Sequence, residues 1–536
     1  MTPPASPQKD RFVHDRLPPR EQWPQIQPLA ASAGLDTLNC VSLLLDRHVS
    51  NGNGDSPAIR GGDRTWTYAE LDEHVCRTAS VMVHRYAIEP GNRVLIRGGN
   101  SPEVALIWLA VQKIGAVAVT TMSLLRDNEL RVIIDMSQPA LAICETSLMQ
   151  DLSLAVRSSG RNVPVIGFEA GHGELFELMA DASPQHETCA TLPDDISLIA
   201  FTSGTTGKPK ATVHFHRDVI AICETMCRHM VAPDRQDVFI GTAPLAFTFG
   251  LGGLLVFPLH AGACSVLNAR YSPEQLLDAI ETYGATVCFT VPTFFQQMVK
   301  LKADQSLATL RLAVSSGEAL PLPVRQAWAD ATGMQLAEVL GSTEMLHAFA
   351  GSTGQDVRAG FIGPAIPGFE LAVVDDTGRK LPANEIGRLA VRGPTGCRYL
   401  DDARQQAYVQ HGWNITGDAC SMTEDGYLAY HSRLDDMIIS SGYNISGVEV
   451  ENTLLLHPHV RECAVVGEAS EERGQVVVAY VVTPVAVEDR SRLAGDLQDH
   501  VKNTIAPYKY PRAIRFLDQL PRNESGKIQR FRLRGS

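Results

Sequence analysis

No Cys-x-x-Cys pair occurs among the eleven cysteines of this 536-residue chain, and no second pair follows Cys223 and Cys227 at zinc-finger distance. A structural zinc site is therefore not expected, and the thiols read as reduced. Positive charge is in deficit, with 47 Lys and Arg against 60 Asp and Glu and a net charge of −13. That balance argues against broad binding to nucleic acid or anionic membrane, while leaving room for a local phosphate pocket. Long apolar runs are missing too. The most apolar window, Val104 to Met122, is interrupted by Gln112, Lys113 and Gly115, and it reads as a buried helix turning into a strand. No basic patch followed by an apolar stretch suggests a secretory leader, so a cytoplasmic protein is expected. Internal repeats and low-complexity tracts are also missing.

What is present is a globular balance of 44% apolar and 20% charged residues, in a chain long enough for two or three domains. The first 25 residues hold several prolines and mixed charges and suggest a loose arm. Strand-like runs then alternate with amphipathic ones: RVLIRG from Arg93, ALAICE from Ala140, VPVIGF from Val163 and ATVCFTV from Ala285. This alternation predicts α/β layers with largely parallel sheets. Beyond Pro364 the texture becomes that of antiparallel strands joined by polar turns. A further change at Ser432–Asp436 marks the boundary of a small C-terminal unit with its own strands, AVVGEA and VVVAYVV.

The strongest local signal is FTSGTTGKPK, Phe201 to Lys210, directly after an apolar run. Glycines let the backbone turn its N–H groups towards one anion, and hydroxyl and ammonium groups add donors. The segment is not the P-loop NTPase motif, because Thr202 stands where that motif needs its first glycine and Pro209 follows Lys208. A surface turn is the bland alternative; phosphate binding accounts better for the composition.

Ser203 to Lys210 resembles the signature of the adenylate-forming superfamily, which includes acyl- and aryl-CoA synthetases, adenylation domains of peptide synthetases and firefly-type luciferases. Further motifs follow in that family's order: Gly341-Ser-Thr-Glu344, Trp413 to Asp418, Arg433 to Ile438, Ser441 to Ile445, Glu449-Val-Glu451 and Pro521 to Lys527. Three positions depart from it: Leu340 for a tyrosine, Ser432 for a glycine and Gly447 for a proline.

The resemblance implies a mixed α/β and α+β architecture. A large N-terminal domain of layered sheets flanked by helices, with a β-barrel-like subdomain, would span 1–434. A small mobile C-terminal α+β domain would span 435–536, with its hinge at Asp435. It also implies roles. Thr202, Ser203, Gly204, Thr205, Thr206, Gly207 and Lys208 would hold ATP phosphates, and Glu344 would ligate Mg²⁺. Thr343 would bond the α-phosphate, and Gly341 and Ser342 would flank it. Gly317, Glu318 and Ala319 would lie along the adenine, Asp418 and Arg433 at the ribose. Lys527 would neutralise the reacting carboxylate and α-phosphate. Ser441, Gly442 and Tyr443 would face the pantetheine of coenzyme A.

Taken singly these residues read otherwise, since a lone carboxylate is more often solvated or salt-bridged; their joint order gives the assignment its force. His214 and His216 form a His-x-His pair without a nameable third ligand, so a structural role is preferred to a metal. For the acyl group, TAPLAFTFGLGG from Thr242 holds no acidic residue to meet an α-ammonium, which disfavours amino-acid substrates. Ala246, Phe247, Leu340, Gly341 and His347 are the candidate lining. GSTEMLHAF and PLAFTFGLGG resemble benzoate- and 2-aminobenzoate-CoA ligases, and the expected substrate is 2-aminobenzoate ahead of benzoate. Loading of a carrier protein in place of CoA, a luciferase-like oxygenase and a nucleotide sensor without catalysis remain as alternatives. Oligomeric state is left open.

Overall fold

The computed structural model describes residues 5–29, 34–62, 64–202, 209–301, 307–440, 443–470, 473–484, 486, 489–522 and 527–534. They build a large N-terminal domain and a smaller C-terminal one around four sheets.

The six-stranded sheet runs in the order Val165–Phe168, Leu141–Glu145, Arg93–Arg97, Val117–Thr121, Ile196–Thr202, Lys210–Phe215. Its strands are parallel except for the last pair, an antiparallel hairpin. The eight-stranded sheet has parallel strands at its centre and an antiparallel pair at each edge, Ala337–Gly341 with Ala348–Gly351 and Pro57–Gly61 with Arg64–Thr67. Between the two sheets lies the helix Pro102–Lys113, which touches strands of both and is buried along its whole length. Ser101 caps it by accepting the Val104 N–H, and Pro102 at its first position needs no donor. A helix apolar on every side has to be enclosed, and here two sheets enclose it. The Val104–Met122 window thus resolves into this helix followed by the strand Val117–Thr121.

The strands Glu370–Val374, Gly387–Arg392, Trp413–Met422 and Leu428–Arg433 pair antiparallel, as the change of texture after Pro364 suggests. The C-terminal domain pairs Glu462–Ser470 with Gly474–Val482 over nine residue pairs. The helices Gly447–Leu454 and Arg490–Thr504 cover this sheet.

Of the loose arm that the sequence suggests over residues 1–25, residues 5–25 are instead anchored to the domain. Gln8 is buried and donates to the carbonyls of Gly115 and Ile196; Val13 is buried. Asp10 pairs with Arg93, and Trp23 packs on Phe215 with ring centroids 5.7 Å apart. The arm's polar and proline-rich composition concealed these few anchoring residues. Among the described residues no helix is long and apolar enough to cross a membrane.

Candidate functional site

The hairpin of the six-stranded sheet pairs from Ile196↔Phe215 to Thr202↔Lys210, so the segment that resembles a phosphate loop leaves from its tip. Ser203, Gly204, Thr205, Thr206, Gly207 and Lys208 lie outside the described residues, and Thr202 and Lys210 mark where the segment departs and returns. Side chains four apart on a strand share a face, and His214 directly and Lys210 through Tyr399 are linked to one target. That target is the tight turn joining Ala337–Gly341 to Ala348–Gly351 in the other large sheet.

The turn is built locally. The ladder slips between Leu340 and Gly341, and a side chain on Gly341 would lie 2.6 Å from the His347 carbonyl, so glycine alone fits. Ser342 Oγ accepts the Met345 N–H at 3.3 Å and caps one 3-10 turn, Thr343–Met345. Leu346 then takes φ of +65°, a strained value for a leucine. His214 Nε2 bonds the Thr343 carbonyl at 2.8 Å. Its Nδ1 faces Asp218 at 3.4 Å, and Asp218 pairs with Arg398 at 3.0 Å; all three side chains are fully buried. Burial alone would raise the Asp218 pKa, but the charge of Arg398, with the His214 ring close by, holds it well below the usual range.

Glu344 is buried at the same turn. Tyr399 donates to its Oε1 at 2.5 Å, and Lys210 Nζ donates to the Tyr399 hydroxyl at 3.2 Å. Burial and the Glu344 charge push the Tyr399 pKa far up, so the phenol stays protonated and can donate. Glu344 Oε2 has no hydrogen bond to a described residue. A single carboxylate with one oxygen engaged and one available suits a divalent cation that takes most of its ligands from nucleotide phosphates and water. The described residues hold no cluster of three or more metal-ligating side chains.

Asp418 and Arg433 stand opposite each other on neighbouring strands, and Arg433 Nη1 donates to Asp418 Oδ1 at 2.9 Å. Burial would lower the Arg433 pKa, but the Asp418 carboxylate raises it further. From the C-terminal domain, Lys527 arrives beside Gly317: a methyl built on that glycine would lie 3.5 Å from Lys527 Cε. The next residue, Glu318, accepts the Ile528 N–H at 3.1 Å and faces Arg522 at 3.5 Å. Lys527 keeps contact with solvent, yet the surrounding protein strips hydration and lowers its pKa; Glu318 opposes that shift and Arg433 adds to it. Gly317, Glu318, Asp418, Arg433 and Lys527 therefore surround one cleft between the domains.

Below the Thr343–Glu344 turn, His347 is buried among rings, 4.7 Å from Phe257 and 5.7 Å from Phe249, with Phe289 behind them. Side chains on Gly252 or Gly253 would collide with His347 and Phe289, which is why this helix carries glycines. Neither His347 ring nitrogen makes a hydrogen bond of normal geometry, and burial holds its pKa down to about 4. Leu340 packs against the same core. Phe247 precedes the short helix Thr248–Leu251 and has no ring partner among the described residues; Phe249 makes the aromatic contacts instead. Ser441 and Gly442 lie outside the described residues, whereas Tyr443 is exposed and stacks on Tyr508 at 4.6 Å. Asp435 sits exposed in the turn Leu434–Asp436, where the chain enters the C-terminal domain.

Sequence reasoning missed Asp218, Arg398 and Tyr399, and it gave Lys210 no role of its own within the phosphate motif. No periodicity marks them, since each matters through a partner far away in the chain. The His-x-His pair was the one available signal. His216 sits buried at the start of the helix His216–Ile222, with Nδ1 beside Cys40, and His214 braces the Thr343 turn; both roles are structural.

A sequence model of the AMP-binding enzyme family matches residues 45–398, and one of the AMP-binding enzyme C-terminal domain matches 449–527. The chain belongs to the AMP-binding enzyme family. Within it, the chain is 34% identical to a benzoate–CoA ligase of Thauera aromatica, over 93% of this chain and 96% of that protein. It is 30% identical to a 3-hydroxybenzoate–CoA ligase of Aromatoleum sp. (strain CIB), over 94% and 98%. Among solved structures, an anthranilate CoA ligase in complex with anthranoyl-AMP superposes with a TM-score of 0.89 at 29% identity, covering 94% of this chain and 98% of that one. A benzoate CoA ligase from Burkholderia xenovorans LB400 gives 0.85 at 30% identity, covering 92% and 99%. This AMP-binding enzyme is an acid–thiol ligase of the AMP-forming class.

Proposed function

We propose that the chain is an aryl-CoA ligase that uses ATP. A carboxylate oxygen of the acid attacks the α-phosphorus of ATP, pyrophosphate leaves, and a mixed acyl–phosphate anhydride forms. The thiol of coenzyme A then adds to the acyl carbon, loses its proton, and AMP departs with the bridging oxygen. The observation that carries the aromatic assignment is the uncharged cluster of His347, Phe249, Phe257 and Phe289 packed beneath the Thr343–Glu344 turn.

Two anions must meet in the first step, so fixed positive charge and donors are needed. Lys527 supplies an ammonium beside Gly317, Arg433 orients Asp418 for the two ribose hydroxyls, and the Thr343 side chain serves the α-phosphate. Thr202 and the segment to Lys208 take the leaving phosphates. Glu344 fits Mg²⁺, which when bound neutralises charge on the phosphates. For the second step the C-terminal domain turns about Asp435, withdraws Lys527 and brings the face around Tyr443 to the cleft. A carrier protein's phosphopantetheine thiol is the alternative acceptor.

Within the aryl acids, 2-aminobenzoate is favoured over benzoate by His347. A neutral imidazole carries one acceptor nitrogen, and here neither nitrogen makes a hydrogen bond of normal geometry, so an ortho N–H on the ring would find an acceptor. Specificity constants measured with ATP, Mg²⁺ and CoA are expected to place 2-aminobenzoate first, benzoate and salicylate next, medium-chain fatty acids well behind, and phenylalanine at background. Octanoate ahead of every aromatic acid would overturn the aryl assignment.

A further inference from the structure

We propose that Tyr399 is a positioning residue that fixes Glu344 for the cation accompanying ATP and ties that carboxylate to Lys210 at the base of the phosphate segment. The inference rests on the ligase reading above and adds to it a residue outside the motifs that carry the family resemblance.

The direction of the chain Lys210–Tyr399–Glu344 is set by chemistry. An ammonium only donates and an ionised carboxylate only accepts, so the phenol between them must accept from Lys210 and donate to Glu344. This order leaves Oε1 engaged and turns the other oxygen to the ligand. The phenol is itself held firmly: its ring is fully buried, and its backbone N–H donates to Gln405 Oε1 at 2.9 Å. Gln405 in turn donates to the Gln22 carbonyl of the N-terminal arm at 2.8 Å. The preceding residue works in parallel. Arg398 grips Asp218, Asp218 faces His214, and His214 holds the carbonyl of Thr343. Consecutive residues 398 and 399 therefore brace consecutive residues 343 and 344 through separate contacts. A turn that contains a left-handed leucine needs such bracing to keep one geometry. Groups that orient a metal-binding carboxylate typically govern metal affinity by about 10–100-fold.

The test uses the full chain and Mn²⁺ as the probe. Paramagnetic resonance titrations measure Mn²⁺ affinity of the protein–ATP complex without acid, and calorimetry measures AMP affinity without metal. In Tyr399→Phe, which removes one oxygen, Mn²⁺ affinity is expected to fall about 10-fold or more, with AMP affinity and melting temperature unchanged. In Glu344→Gln most metal dependence should vanish, and adding Tyr399→Phe to it should cost no further affinity. Unchanged Mn²⁺ affinity in Tyr399→Phe, additive losses in the double variant, or parallel losses of metal binding, AMP binding and stability would each overturn the role given to Tyr399. If the unmodified protein shows no Mn²⁺-dependent ATP binding, the ligase reading itself fails, and this inference falls with it.

Discussion

At the scale of single residues, His347 shows how burial and chemistry meet. Its folded pKa lies near 4 and its unfolded value near 6.5, both with the ring neutral above. The unfolded chain therefore binds more protons between those values, and the stability that the neutral ring secures is complete above pH 6.5 and lost as pH falls towards 4. His216, with its pKa held down to about 3 by burial, acts in the same direction. A shift of the size seen at His347 corresponds to about 3 kcal/mol. Melting temperature should drop steeply between pH 6.5 and 4.5, and the drop should be shallower in His347→Asn. Equal slopes in the two proteins would show that His347 does not stay neutral in the fold. At the same scale, Lys527→Ala is expected to cripple acyl-AMP formation while leaving conversion of supplied acyl-AMP to thioester, and equal loss of both half-reactions would contradict that division.

Elements explain why the motifs work where they stand. The phosphate segment connects the last two strands of the six-stranded sheet, whose pairing continues to Thr202↔Lys210, so the ladder holds both ends of the segment. The glycine-bearing helix after Thr248 lets His347 approach its backbone. Gly252→Ala would put a methyl 2.3 Å from the imidazole ring, and overpacking of that kind costs about 1–3 kcal/mol. Urea unfolding should register that loss, with a rise in KM for the aromatic acid larger than the rise for ATP. Much of this level was legible in the sequence. RVLIRG, ALAICE, VPVIGF and ATVCFTV all became buried strands, because parallel strands covered on both faces read as plain apolar runs. Asp418 and Arg433 were legible as motif residues, and the ladder places them side by side. The support behind Thr343 and Glu344 was not legible, because Arg398 and Tyr399 lie some 55 residues beyond Glu344 and reach it only through tertiary packing. Phe247 and Phe249, two residues apart, differ in the ring contacts they make, and that difference was not legible either, because it depends on which way the turn aims each ring.

For the whole molecule, the described contacts between the domains at this cleft include Ile528 and Arg522 on Glu318, and Lys527 at Gly317. The proposed rotation would break and remake these contacts in each cycle. Asp435→Pro fixes φ in the connecting turn and is expected to spare adenylation while blocking thioester formation; full turnover in that variant would move the pivot elsewhere. The N-terminal arm has a different consequence, one for synthesis. Its partners Gly393, Asp401, Gln405 and Gly412 all follow it by more than 360 residues. At roughly 5–20 residues per second, a ribosome delivers them some 20–80 s after the arm emerges. During that interval Trp23 and Phe12 can pack only on partners already made, Phe215 and Arg93, and the arm's remaining native contacts wait for residues 393–412.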